Sequence, residues 1–362
     1  MTNKIYNFSA GPAILPQPVL ERARDEMLSL GGIGMSVMEI SHRSKQFETV
    51  IAAAEQCIRD LLRVPPNYRI VFLQGGASMQ FSMVPLNFLR QGETADYIVT
   101  GAWGKKAVKE ARRCGSVNVI YSGEAAGFTA VPDKAELDLS RNARYLHYVS
   151  NETIDGVEFK YDLDGGGVPV VCDASSNILS KPIDIEKYAL IYAGAQKNIG
   201  PSGVTLVIIR DDLIAEVPEN QHSTLDYRLI AENGSMYNTP NTWGIYIVSL
   251  VCEWLREQGG LNAMAVKNAE KAAILYNAID GSDGYYAGHA KRESRSLMNV
   301  TFRLPSVQLD QQFCSEAVAH GFEGLKGHRS VGGIRASIYN AFPHEGAEAL
   351  VEFMQDFAER NG

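Results

Sequence analysis

Apolar and polar residues come in blocks along the first two-thirds of this chain. Short apolar runs at 69–73, 96–100, 117–121, 144–148, 169–172, 190–192 and 204–209 each have the length of one strand. Stretches with helical spacing lie between several of them. One begins near Met79, and a basic one runs from Lys105 to Arg113. Strands that alternate with helices predict an α/β fold, with a mostly parallel central sheet and helices on both faces. From Thr242 an amphipathic helix extends to about Gln258, where Gly259 and Gly260 break it, and a second helix covers Leu261 to about Ile279. The remainder reads as strand 297–304, helix 309–320, strand 334–339 and helix 344–360. The pattern therefore predicts a large α/β domain, 1–258, that includes the N-terminal segment, and a smaller C-terminal α+β domain, 259–362. The glycines at 165–167 read as a flexible connection.

In open α/β sheets ligands bind beyond the C-terminal ends of the strands. The residues that follow each run are therefore the candidates for chemistry. Lys197 follows the 189–193 run, among small residues and ahead of Gly200 and Pro201. A solvated lysine needs no such frame, whereas a lysine that carries a covalent aldehyde adduct does. Asp173 ends the 168–172 run and precedes Ala-Ser-Ser. Taken singly, the lysine reads as solvated and the aspartate as a helix cap. Together they match the needs of pyridoxal 5'-phosphate. The lysine forms a Schiff base, and the carboxylate holds the pyridine nitrogen protonated so that the ring accepts electrons.

Other strand ends agree. Gly75, Gly76, Ala77 and Ser78 open a helix, and their small side chains let backbone N–H groups approach a phosphate. The segment has neither dinucleotide glycine spacing nor the Lys-Ser/Thr of a nucleotide loop. Trp103 is either core or a stacking platform for a flat ring. Thr153 is either a turn residue or a partner for the ring hydroxyl. Asn238, Thr239 and Pro240 read as a helix cap, a phosphate contact, or both. Two His-Arg pairs, His42-Arg43 and His328-Arg329, and the nearby Arg335 suggest anion capture, because guanidinium binds carboxylate and phosphate in bidentate fashion. For any one of these arginines alone, surface charge is the alternative.

The 362 residues are 45% hydrophobic, which suits two packed domains. A net charge of −8 argues against nucleic acid as the main partner and makes paired cations more telling. The five cysteines are scattered without a Cys-x-x-Cys, so neither a disulfide framework nor a zinc or other metal site is expected. The N-terminus has no apolar signal core, and no apolar run reaches membrane-span length. These features predict a soluble, cytoplasmic protein.

Motifs spread over the chain resemble those of the phosphoserine aminotransferases, in the class V branch of fold-type-I pyridoxal-phosphate enzymes. They lie at 7–13, 37–43, 72–78, 151–156, 193–201, 238–240 and 326–340. The cofactor motifs are shared with relatives of that family, and the two His-Arg segments are more specific to it. The resemblance implies that Lys197 carries the cofactor and shuttles the proton, and that Asp173 pairs with the pyridinium. It also implies that Trp103 stacks on the ring and that Thr153 bonds its hydroxyl. Ala77, Ser78 and Gln196 would bind the cofactor phosphate. Asn238 and Thr239 would reach it from the neighbouring subunit of a homodimer. Arg335 would hold the substrate α-carboxylate, and His42, Arg43, His328 and Arg329 the distal anion. The implied reaction is transfer of the amino group of L-glutamate to 3-phosphooxypyruvate, with a second expected substrate in the phosphorylated hydroxythreonine precursor of pyridoxine. Ala77-Ser78 stands where some members carry Gly-Arg, so one contact to the substrate is lost here. The rivals are another class V enzyme, such as a small-amino-acid–glyoxylate aminotransferase or a cysteine desulfurase, and a colourless protein that holds a nucleotide at 75–78.

Overall fold

A computed structural model describes residues 5–362. Its central sheet has seven strands, in the spatial order Tyr68–Leu73, Thr205–Arg210, Leu190–Gly194, Val170–Asp173, Leu146–Val149, Thr94–Val99 and Ser116–Ser122. The last five run parallel, as the alternation predicts. Thr205–Arg210 is antiparallel to both of its neighbours. The reason lies in the connection. Only residues 195–204 separate it from Leu190–Gly194, too few for the helical crossover that a parallel pair requires. The strands at 146–149, 170–173 and 190–194 are buried at every position, which explains why they read as unbroken apolar runs.

One face of the sheet packs against helices Lys45–Leu62 and Thr242–Glu257, through Phe47, Ile51, Ile58, Val248, Val251 and Leu255. The other face is covered by helices Gly76–Phe88 and Ala102–Ala111, through Phe81, Val84, Phe88, Ala107 and Val108. Ala102–Ala111 starts three residues before the basic stretch predicted from the sequence, which places Trp103 in its first turn. Thr242–Glu257 is capped by Asn241, whose Oδ1 accepts from Gly244 N at 2.9 Å. The cap expected at Asn238 and Thr239 is thus supplied by Asn241, and those two residues stand outside the helix. The glycines at 165–167 form a closed turn rather than a flexible connection. Val168 N donates to Gly165 O at 3.0 Å, and Gly166 N to Asp164 Oδ1 at 2.9 Å.

After Gly259 the chain enters helix Gly260–Asp280 and an antiparallel sheet of Ala287–Gly288, Asn299–Arg303 and Ile334–Ser337, backed by helices Val307–Ala319 and His344–Asn361. The N-terminal strand Tyr6–Asn7 pairs with Phe322–Glu323 of this lobe, and the Phe8 ring lies 4.4 Å from that of Phe342. The chain then crosses to the large sheet, where Ala13 N donates to Gln196 O at 2.9 Å. Among the described residues no helix is long and apolar enough to cross a membrane, and no cluster of His, Cys, Asp or Glu is placed to hold a metal ion.

Candidate active site

The strand Leu190–Gly194 delivers the chain to a tight loop. Ala195 N bonds Val204 O at 2.9 Å, and Ile199 N and Gly200 N both return to Ala195 O. Gly200 is required here, since a Cβ would lie 2.7 Å from Val248 Cγ2. Lys197 is carried on this fixed loop, with the backbone of Gly11 against its stem. Its Nζ donates to Thr153 Oγ1 at 2.6 Å and lies 5.2 Å from the centre of the Trp103 indole. Burial lowers the pKa of the amine, and Asp173 and Glu152 oppose this shift.

Asp173 ends its strand with its carboxylate inside the protein. Oδ1 accepts from Ser175 N at 2.9 Å and from Ser175 Oγ at 2.6 Å. Ser175 Oγ in turn accepts from Gly194 N at 3.0 Å. Burial raises the pKa of the carboxyl, while Lys197 and Ser175 favour its charged form. Thr153 Oγ1 also meets Ser176 Oγ, at 3.1 Å. Trp103 is aimed from below by Glu152, whose carboxyl accepts from Trp103 N at 3.1 Å and Gly104 N at 2.8 Å. These are unpaired donors of a helix N-terminus. Gly101 makes room for that contact, because a Cβ there would lie 2.5 Å from Glu152 Cδ. Burial pushes the Glu152 carboxyl up to about 8.

These groups surround a cavity of about 300 Å³ lined by Gly75, Ala77, Ser78, Trp103, Asp173 and Lys197, together with Gln196 and small neighbours. Gly75 begins the helix Gly76–Phe88 with a φ of 88° and no side-chain cap, so the first N–H groups of the helix face the cavity unpaired. Arg335, on strand Ile334–Ser337, lines a separate small hollow with Gly327 and Val331, and its field opposes protonation of Lys197 and of His328. The Arg335 Nε and Trp103 Nε1 hydrogens are buried without an acceptor. His328 and Arg329 sit on the loop before that strand, with His328 Nδ1 2.7 Å from Ser330 Oγ. Asn238 lines a neighbouring hollow of about 440 Å³ that shares Gly75 and Val204 with the cavity, and Thr239 O accepts from Gln74 Nε2 at 3.2 Å. His42 and Arg43 bond each other at 3.4 Å just ahead of helix Lys45–Leu62 and do not line the Lys197 cavity of their own chain.

The family model for class-V aminotransferases matches residues 5–350. The chain belongs to the class-V aminotransferases. A phosphoserine aminotransferase from Laribacter hongkongensis is 53% identical to this aminotransferase over 358 residues, 99% of each chain. The structure of a phosphoserine aminotransferase from Bacillus circulans subsp. alkalophilus superposes with a TM-score of 0.98 at 50% identity, covering 99% of both chains. A pyridoxal-phosphate-bound phosphoserine aminotransferase from Trichomonas vaginalis gives 0.91 at 42%, covering 97% of this chain and 100% of that one.

The cofactor of this aminotransferase is pyridoxal 5'-phosphate, and the cavity suits it. A half-buried amine and a buried carboxylate line the same cavity. An indole forms a wall, and a helix N-terminus without a side-chain cap offers N–H groups that suit a phosphate. The sequence reading missed Glu152, Ser175 and the Gly11–Ala13 segment as supports. Ser175 had a usable signal, since a serine two residues after an aspartate commonly bonds it. Glu152 had none, because its partners are backbone N–H groups 48 and 49 residues away.

Proposed function

We propose that this aminotransferase transfers the amino group of L-glutamate to 3-phosphooxypyruvate, giving 2-oxoglutarate and O-phospho-L-serine. The observation that carries this reading from geometry is a second cationic region beyond the cofactor cavity. Arg335, with an orphaned buried donor, supplies one anion site, and His328 with Arg329 supplies another. A substrate with two anionic ends fits that arrangement, and a small neutral amino acid does not. Full-length identity to phosphoserine aminotransferases supports the same substrates.

The cofactor, when bound at Lys197, supplies an electron sink for the substrate Cα. The residues of the chain do the rest. Trp103 would stack on the ring, and Asp173, held by two Ser175 donors, would keep the ring nitrogen protonated. The N–H groups of the first helical turn, with Ala77, Ser78 and Gln196, hold the phosphate. Thr153, whose hydroxyl now accepts from Lys197, would bond the ring hydroxyl. Arg335 binds the α-carboxylate and so orients the Cα–H bond. Lys197, as a neutral amine, would take that proton from Cα and deliver it, on the same face, to the former aldehyde carbon of the cofactor. Its depressed pKa keeps the base form available.

The active unit in this reading is a cytoplasmic homodimer. Leu20, Leu28, Met35 and Met38 in the N-terminal stretch are 45–84% exposed, and Met79 and Tyr237 beside the cavity are also solvent-facing. Such apolar exposure next to a site suits a second copy. Asn238, Thr239, His42 and Arg43 of the partner subunit would then complete the phosphate and distal-anion sites. The lobes divide at Gly259. The phosphorylated hydroxythreonine precursor of pyridoxine, also an anion at both ends, is a further substrate.

The test is kcat/KM for phosphoserine, glutamate and alanine in two variants. Arg335→Ala should lower all three by about ten- to a hundredfold, the effect of one charge-assisted bond. Arg329→Ala should lower the first two and spare alanine. A proportional loss for alanine in Arg329→Ala overturns the assignment of a distal-anion site.

A further inference from the structure

Helix Ala102–Ala111 carries two adjacent lysines with different fates. Lys105 Nζ turns outward to Glu124, 2.5 Å away. Lys106 has no carboxylate within ion-pair distance among the described residues, and its ammonium lies 3.9 Å from the centre of the Trp103 ring. Positions 103 and 106 share a helix face, so Lys106 leans toward the cavity side rather than away from it. The same indole has Lys197 Nζ at 5.2 Å. Two cations thus converge on one ring, although acids are in excess in this protein.

The positive field of Lys106 reaches in two directions. It opposes protonation of Lys197 in the cavity and of His328 on the small lobe. His328 also feels Arg335 and Arg329. The geometry puts the Lys106 ammonium on the indole that walls the cofactor cavity, and its charge is felt by groups on both sides of that wall. The aromatic face is a weak partner for an exposed ammonium, and a phosphate or carboxylate is a far stronger one. An ammonium whose only close partner is an aromatic face keeps its hydrogen-bonding capacity for an anion, which concentrates its benefit in the bound state.

We propose that Lys106 is a specificity-determining residue that binds the distal anion of the substrate together with His328 and Arg329. This rests on the reading that the substrate is anionic at both ends. A flexible lysine suits the role, because its point charge can leave the indole when the cofactor ring stacks there and follow the incoming phosphate. The phosphate of phosphoserine, with close to two charges, should use it more than the single charge of the glutamate carboxylate.

The experiment compares Lys106→Met and Lys106→Arg holoenzymes with wild type, using phosphoserine, glutamate and alanine as donors. Lys106→Met should lower kcat/KM for phosphoserine about tenfold, mostly through KM, as for loss of one charge-assisted hydrogen bond. Glutamate should lose less and alanine least. Lys106→Arg should recover most of the phosphoserine activity, and the visible spectrum of the cofactor should be the same in all three proteins. Unchanged phosphoserine kinetics in Lys106→Met overturns the proposal. So does an equal loss for all three donors or a shifted spectrum, either of which places Lys106 behind Trp103 as a support for the ring. A wild-type enzyme that used alanine as well as phosphoserine would instead sink the doubly anionic substrate. A wild type that prefers phosphoserine, with the preference intact in Lys106→Met, sinks only the role of Lys106.

Discussion

Lys197 in the large lobe and Lys271 in the small lobe are both drawn inward from solvent, yet their surroundings are opposite. Lys197 stands at the edge of a cavity with one hydrogen-bond partner, the Thr153 hydroxyl. Lys271 is 3% exposed, and its ammonium donates to the carbonyls of Ile338, Tyr339 and Phe342 at 2.6–3.1 Å, with Asn340 O at 3.5 Å. Burial lowers the pKa of both, that of Lys271 to about 7. A depressed pKa therefore does not by itself mark a reactive amine. Space and unfilled hydrogen-bonding capacity do. Lys271 is a fastener. The loop it grips includes Asn340, whose N donates to Asn198 Oδ1 at 2.9 Å, one residue past Lys197. The satisfied lysine thus secures the small lobe beside the unsatisfied one.

The sharpest way to break this contrast is to exchange the two losses. Lys197→Ala should reduce turnover to background and abolish borohydride fixation of the cofactor, because Lys197 is the one lysine among the residues that line the cavity. Its apoprotein should unfold at nearly the wild-type urea midpoint, within about 1 kcal/mol, since little packing is lost. Retained turnover would show that another lysine carries the cofactor. Lys271→Met should do the reverse. It leaves carbonyls buried without a donor, which costs about 3 kcal/mol, read as a lower urea midpoint at unchanged slope. The folded holoenzyme should keep most of its kcat. A stability change under about 0.5 kcal/mol would remove the fastener role.

The smallest expected effect is in pH dependence. Only the neutral amine attacks an aldehyde, so capture of cofactor by the apoenzyme should slow as pH falls through the pKa of Lys197. Because burial depresses that pKa, the fast plateau should begin below the pH at which an ordinary lysine is deprotonated. A capture rate that tracked the ordinary lysine range would show that the cavity does not desolvate the amine.

Much of this contrast was visible before any coordinates. Asp173 and Lys197 follow strands whose apolar runs are continuous because both faces are covered, and strand ends are where an α/β sheet presents its ligands. Gly75 was legible as part of a small-residue turn between strand and helix, and the structure adds that it takes the positive φ that favours glycine. Lys271 was not legible at all. Its partners are carbonyls at 338–342, and a carbonyl has the same appearance in every residue of a sequence.

What the sequence determined by itself is what short-range chemistry dictates: the strands of the central sheet, most of the helices though not Lys45–Leu62, the break at Gly259, the lysine and aspartate after their strands, and the motifs that place the chain in its family. The tertiary structure alone decided which groups meet. It set Thr205–Arg210 antiparallel, because residues 195–204 cannot make a crossover. It tied Tyr6–Asn7 to the far lobe. It also left Lys106 over Trp103 while its neighbour found Glu124. The physical reason is range. Backbone propensity and side-chain periodicity act over a few residues, whereas burial, pKa and pairing depend on atoms that only the folded chain brings within a few ångströms.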